Sequence, residues 1–330
     1  MNTQAEGMQR FYKTIQKYGI VFVLLFMMII FMVINPTFIS VNNLIKIANQ
    51  ASIYGIMALG VTLIIIARGI DLSMGSQVAF AGLIIASLGQ LQTATFKVYP
   101  NLPELPVIVP IAVGLLIATL VGATNGFFVA ITGIPAFIAT LGMTTILRGA
   151  CLLYTKGQPV TNLVPGIVFF GESLFGIPMP VIVYMLMALL TYILLNHTRF
   201  GSDAYAIGGN VQAARVSGIN VSLATIKVFA FSGLMCGVAA LVFAGRVRSV
   251  HPGAATGYEL TAIAATTIGG TSQTGGIGTV WGAVVGTLVL SVLRNGLTMV
   301  GVDGYWQQIV EGMIIIGAVI IDMRKNAKAN

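Results

Sequence analysis

Charge is what this chain is short of. Of its 330 residues only 8% are charged, with 9 acids, 17 lysines and arginines and 2 histidines. A soluble domain carries roughly a quarter charged residues, so an ordinary water-soluble globule is excluded. The two cysteines, Cys151 and Cys236, fall within apolar runs and have no metal-ligand spacing, so they read as packing residues. His197 and His251 stand alone in loops, and no metal site is expected. There is no Gly-x-x-x-x-Gly-Lys-Ser/Thr phosphate loop, no His-Glu-x-x-His helix and no Gly-x-Ser-x-Gly elbow. The chain is therefore not expected to be an enzyme, to hold a cofactor or to hydrolyse ATP by itself.

What is present is apolar. The hydrophobic share is 57% and the mean hydropathy +0.94. Uninterrupted apolar runs of roughly 17 to 25 residues cross a bilayer as helices, whereas barrel strands alternate over shorter segments. The runs here are long and continuous, so the expectation is an all-α polytopic membrane protein forming one transmembrane domain over 1–330. About ten spans are predicted: Tyr18–Ile34, Gln50–Ala67, Ser76–Leu91, Val107–Ile131, Pro135–Leu153, Met179–Leu195, Thr225–Ala244, Glu259–Ile268, Val280–Leu297 and Trp306–Ile321. Glu259–Ile268 is short and runs into a glycine-rich stretch, so a half-membrane or broken helix is its alternative. The first span follows basic residues but has no small-residue cleavage site after it, and it reads as a retained anchor.

Ten spans with an inside N-terminus put Arg10, Lys13, Lys17, Arg68, Arg199, Arg215, Lys227, Arg324, Lys325 and Lys328 on one side. Lys46, Lys97, Arg148, Lys156, Arg246, Arg248 and Arg294 fall on the other. Positive charge near span ends marks the cytoplasmic side. Both basic termini, 1–17 and 322–330, are thus expected in the cytoplasm. The net charge of +8 is ascribed to basic flanks facing anionic lipid, with no nucleic-acid partner. Among 39 glycines, Gly114, Gly122 and Gly126, and Gly278, Gly282 and Gly286, recur every four residues and are predicted to be helix-packing seams.

Ionisable groups crowd the span ends. Glu311 is the exception, a turn or two inside the last span, and reads as a proton site or, in preference, an interfacial or intersubunit contact. The other polar groups near spans are mostly neutral. A weak, transient path for a neutral hydrogen-bonding solute needs little more, although plain interhelical bonding is the preferred role for any single one. The candidate path or gate residues are Asp71, Ser73, Gln77, Asn125, Thr140 and Glu259.

The polar segment 198–224 lies between two predicted spans, on the cytoplasmic side by the charge count. It reads as a short capped helix of about two turns. Asn210 accepts from the first free amides, and Gly218 takes the left-handed stop.

Four stretches together resemble a known family, the inner-membrane permeases of bacterial ribose-type sugar ABC importers. They are Arg68-Gly-Ile-Asp-Leu-Ser-Met-Gly-Ser76, Ile134-Pro-Ala-Phe-Ile-Ala-Thr-Leu-Gly-Met143 with Leu147-Arg-Gly149, Thr198 to Asn220, and Gly257 to Thr279. Arg68 replaces a glycine common in the family, a charge expected to be harmless at a span end. Thr261 replaces an aspartate, so no role for that carboxylate is carried over.

The resemblance implies the ABC-importer permease fold and a pump divided among proteins. Its partners would be a cytoplasmic ABC ATPase that binds the ATP, an extracytoplasmic sugar-binding protein and a second permease subunit. Val211 to Ser217 would be the coupling helix, with Gly209, Asn210, Gln212, Ala213, Ala214, Arg215, Ser217 and Gly218 at the ATPase contact. Ala213 and Ala214 would allow close approach. Arg246 and Arg248 would dock the binding protein, and the solute would be a monosaccharide. The alternatives are a related permease for nucleosides or branched amino acids, and a membrane enzyme acting on lipid-linked sugars.

Overall fold

A computed structural model describes residues 19–327. The basic N-terminus at 1–17 and the charged side chains within 322–330 lie outside the described residues. The chain folds as α1 (Gly19–Ile34), α2 (Val41–Ile66), α3 (Met74–Leu88), α4 (Ile108–Ile131), α5 (Ala136–Thr155), β1 (Val160–Thr161), α6 (Pro165–Val168), β2 (Ser173–Leu174), β3 (Ile177–Pro178), α7 (Met179–His197), α8 (Arg199–Gly209), α9 (Val211–Val216), α10 (Val221–Val247), β4 (Ser249–Val250), α11 (Tyr258–Ile268), α12 (Val280–Met299) and α13 (Gly304–Ala327).

Each of the ten predicted spans coincides with a helix, but they are not ten equal crossings. Six of the described helices are long and apolar enough to span a membrane: α2, α4, α5, α7, α10 and α12. α1, α3 and the Gly304–Ile320 part of α13 are shorter apolar helices. α11 has 11 residues, about 16 Å at 1.5 Å per residue, against a hydrocarbon core of about 30 Å. It is a part-depth helix, the alternative foreseen for it.

α2 and α10 form the centre, with Ile56, Met57, Leu59 and Leu63 of α2 and Met235, Ala239 and Val242 of α10 fully buried. α4, α5 and α7 flank them and turn much of their apolar surface outward. Lipid is as apolar as leucine, so helices in a membrane gain little from apolar burial itself. Close van der Waals approach holds them together instead. The glycine seams supply it. A Cβ at Gly122 would strike the Phe229 carbonyl, and one at Gly233 the Ala118 carbonyl, so α4 and α10 touch backbone to backbone. Gly282 and Gly286 do the same for α12 against Gly269 and Ala265 of α11.

The polar connections gather at two ends. One, the near end, carries the α2–α3 connection, the α4–α5 turn, 198–220 and 269–279. The other, the far end, carries the loops at 35–40, 89–107, 156–178 and 300–303. There β1 pairs antiparallel with β4 through Val160–Val250 and Thr161–Ser249, tying the long α5–α7 loop to the end of α10.

Gly286→Val should push α12 off α11 and cost about 1–3 kcal/mol as an overpacked site. Gly142→Ala, which meets open space, should be neutral. Thermal unfolding of both detergent-purified variants checks this, and equal midpoints would refute the seam.

Candidate functional site

The first turn of α3 is buried within the bundle and meets the start of α11, whose first turn is half-buried to exposed. The chain leaves α2 at the near end, and residues 67–73 run non-helically to the first residue of α3. From the far end, 251–257 run inward to α11. Gly75, in the first turn of α3, leaves no room for a Cβ because the Ala255 carbonyl and the Glu259 carboxylate occupy the space. Non-helical backbone at membrane depth is tolerated only where protein satisfies it or where it lines a cavity. Here side chains do so. The Leu72 amide donates to Thr140 Oγ1 (3.1 Å), and the Leu72 carbonyl accepts from Thr144 Oγ1 (2.9 Å). Arg148 Nη1, two turns further along α5, donates to the carbonyls of Pro252 (3.2 Å) and Ala254 (2.7 Å).

Asp71 closes the start of α3. Its Oδ1 accepts from the Ser73 amide (2.8 Å) and Ser73 Oγ (2.6 Å), and its Oδ2 from Gln77 Nε2 (3.1 Å). Asn125 Nδ2 of α4 donates to Ser73 Oγ (2.8 Å). A carboxylate at a helix N-terminus also meets the positive end of the helix dipole. Five of the six candidate path residues, Asp71, Ser73, Gln77, Asn125 and Thr140, are therefore brought together. All five are almost fully buried and form a brace with no open face. Glu259 is half-buried on the facing helix, and its Oε2 has no hydrogen-bond partner.

The open space lies elsewhere. A pocket of about 590 Å³, toward the far end, is lined by Gln50, Thr256, Tyr258, Thr261, Arg294, Gln307, Gln308 and Glu311 among others, within the roughly 300–1,000 Å³ of small-molecule sites. None of the six candidates lines it. Its inner wall is an ion pair between Arg294 of α12 and Glu311 of α13. Thr261 of α11 links the two, donating to Glu311 Oε1 (2.8 Å) and accepting from Arg294 Nη2 (2.9 Å). The Arg294 guanidinium lies 4.8 Å from the Tyr54 ring centre and bonds its hydroxyl. Glu311, expected as a proton site or an intersubunit contact, thus has its partner within the same chain. Its spacing from Arg294 along the sequence crosses a helix break, so no periodicity announces it. Thr261, set aside as a lost carboxylate, is the bridge.

At the near end, α9 is short and capped as predicted. Asn210 Oδ1 accepts from the amides of Gln212 (2.9 Å) and Ala213 (3.0 Å), and Gly218 stops the helix at φ +85°. Gln212, Ala213, Arg215 and Ser217 are exposed. Ala214 is corrected: it is 3% exposed and packs with Ile207 and Ala224, because in so short a helix one side must seat on α8 and α10. The rest of the predicted loop is a second helix, α8. Tyr205 on α8 donates to the Gly278 carbonyl (2.7 Å), and burial raises its phenol above the usual range, keeping the proton it donates. A Cβ at Gly208 would strike the Ile66 carbonyl and the Gly276 amide, and that amide in turn donates to Ile66 (2.8 Å). Arg68, expected to be inconsequential, donates to the carbonyls of Thr274 (2.9 Å) and Gly209 (3.2 Å).

Arg246 and Arg248 lie at the opposite, far end. Arg248 pairs with Glu172 at 3.4 Å, both groups more than half exposed, an arrangement worth little in itself. Arg246 is exposed.

Comparison with known proteins gives a consistent result. Residues 43–319 match the family model described as branched-chain amino acid transport system / permease component. The ribose import permease protein of Escherichia coli K12 is 40% identical over 307 residues, 92% of each chain. The galactose/methyl galactoside import permease protein of Salmonella typhimurium LT2 is 38% identical over 318 residues, 94% of this chain and 95% of that protein. The ribose import permease protein of Bacillus subtilis 168 is 36% identical over 315 residues, 94% of each. No solved structure matches.

Glu311→Ala should leave the Arg294 charge uncompensated and cost about 3–5 kcal/mol, whereas the double change Arg294→Met with Glu311→Leu should recover most of it. Unfolding midpoints of the purified variants decide the matter. A single variant as stable as the double one would contradict the intrachain pair.

Proposed function

The chain belongs to the branched-chain amino acid transport system / permease component family, and on that premise we propose that it is the membrane permease of an ATP-binding-cassette importer carrying a monosaccharide. The observation that carries this reading is identity of 36–40% with ribose and galactose import permeases over more than nine-tenths of the chain. The family description names branched-chain amino acids, but an amino acid presents an ammonium and a carboxylate. The pocket lining mixes neutral hydrogen-bonding side chains (Gln50, Thr256, Tyr258, Thr261, Gln307 and Gln308) with apolar ones, and its two charged residues are paired with each other. That chemistry suits a hydroxyl-rich neutral solute.

The sequence has no Gly-x-x-x-x-Gly-Lys-Ser/Thr phosphate loop, and in this reading a separate ATPase supplies the energy. α9 is the handle. Its exposed residues Gln212, Ala213, Arg215 and Ser217 face the ATPase, Asn210 and Gly218 fix its ends, and Gly209 joins it to α8. Ala214 anchors it to the permease. Closure of the ATPase shifts the handle and biases an inward- against an outward-facing arrangement, a two-state change driven by differential contact. The near end is cytoplasmic and both termini lie there. The far end receives a sugar-binding protein, with Arg246 and Arg248 at the docking surface. A second permease subunit completes the membrane portion, which sits in the bacterial inner membrane.

The pocket between α11 and α13 is the sugar's outward-facing station. Gln50, Thr256 and Gln308 offer donors and acceptors to hydroxyls. The brace of Asp71, Ser73, Gln77, Asn125 and Thr140, with Glu259 opposite, holds the gate between that pocket and the near end. Because α3 and α11 start there, a small shift of either start opens or closes the path.

The test is uptake of labelled D-ribose and D-galactose by cells lacking their own permeases for these sugars and expressing this chain with its neighbouring ATPase and binding protein. Uptake of one sugar is expected. It should fall at least about tenfold in Asn210→Pro and Ala213→Arg, together with loss of ATPase co-purification, since a bulky or helix-breaking residue removes the fitted contact. Full uptake in both variants would refute the handle, and uptake of leucine instead of either sugar would refute the substrate class.

A further inference from the structure

Arg68 sits where an arginine is conformationally out of place. Its φ is +62°, in the left-handed region that L-residues other than Asn and Asp seldom enter and glycine enters freely. A side chain retained there must do something its absence would forfeit. The guanidinium spans two separate segments. Nη2 donates to the Gly209 carbonyl, at the C-terminus of α8, where helix carbonyls lack intrahelical partners and the dipole favours a cation. Nε donates to the Thr274 carbonyl, in the connection that follows α11. Arg68 is solvent-exposed, so its charge costs little to place.

Its own position in the chain completes the junction. Gly209 leads directly into Asn210 and α9. Thr274 belongs to the loop at the end of α11. Arg68 itself opens the non-helical stretch that leads to Asp71 and the interior start of α3. One side chain therefore ties the handle to the lead-in of α3 and to the loop that follows α11. The same segments are also tied by the Gly276 amide to the Ile66 carbonyl and by the Tyr205 hydroxyl to the Gly278 carbonyl. Gly276 also packs against the Gly208 and Gly209 backbone, and the Arg68 guanidinium adds a side-chain bond to the Gly209 carbonyl beside α9.

We propose that Arg68 is a positioning residue that transmits displacement of α9 to the lead-in of α3 and to the α11–α12 connection, so that ATP hydrolysis and opening of the path stay linked. This rests on the reading of α9 as the ATPase handle. A guanidinium is suited to the task because its planar fork holds two carbonyls at fixed separation, which a lysine ammonium does not.

The experiment uses the assembled transporter in proteoliposomes, with the loaded binding protein, and measures ATP hydrolysis and sugar uptake together. Arg68→Gly is the informative variant, because glycine is at home at that backbone angle and the fold is expected to survive. The expected result is an unchanged unfolding midpoint, intact co-purification with the ATPase, continued ATP hydrolysis, and sugar imported per ATP reduced at least about 5-fold, the lower end of ordinary coupling energies. Arg68→Lys should fall between the two. A purely structural role would lower the unfolding midpoint and leave the ratio alone. Wild-type coupling in Arg68→Gly overturns the inference while leaving α9 as the handle. Failure of the unmodified chain to associate with the ATPase overturns both.

Discussion

A backbone amide or carbonyl held away from water must find its partner within the protein, and in a bilayer core that requirement leaves helices as the default. This chain departs from the default at 67–73 and 251–257, and the rest of its architecture is arranged around the departure. α5 carries the donors and acceptors for both stretches on one side: Thr140 and Thr144 serve Leu72, and Arg148 serves Pro252 and Ala254. Asp71 accepts from the Ser73 amide just before α3 and from the Gln77 side chain of its first turns. The arrangement is costly in polar side chains for a protein with so few, and two helix starts at depth are what it secures.

The proposed two-state gating would draw on such starts. A helix that crosses the whole membrane is clamped at two interfaces, whereas the starts of α3 and α11 are held by side chains and by their contact with each other at Gly75. The glycine seam of α11 against α12 and the backbone contact at Gly75 keep these ends close without bulky interdigitation, so modest shifts do not require repacking of large side chains. α9 and the junction around Arg68, Gly208 and Gly276 lie at the near end, and the pocket opens toward the far end. The braced starts stand between them.

Much of this was legible from the chain itself. Apolar run lengths located every major helix, the four-residue glycine spacing marked the helix contacts at Gly122, Gly126, Gly282 and Gly286 though not Gly278, which lies before α12, and Asn210 with Gly218 bracketed α9. All of these are local signals, read within one or two turns. What stayed hidden is what sequence separation conceals. Arg294 and Glu311 face each other across a helix break, and Arg68 meets Gly209 and Thr274 from 141 and 206 residues away. The pattern showed Asp71, Ser73, Gln77, Asn125 and Thr140 to be polar and near spans, but could not tell a sealed brace from a lined path. Ala213 and Ala214 looked alike because composition carries no facing. Only the seating of α9 on α8 and α10 separates the exposed alanine from the buried one.

The central claim, that side chains of α5 and Asp71 stand in for helix hydrogen bonds at the interior starts, is tested most directly by amide hydrogen exchange of the purified chain in lipid nanodiscs, read over residues 67–77. Protection there should approach that of the centre of α2 and greatly exceed that of the 92–103 loop, and Thr140→Val should release the Leu72 amide selectively. Exchange of 67–77 at the rate of the 92–103 loop, with no response to Thr140→Val, would contradict the account.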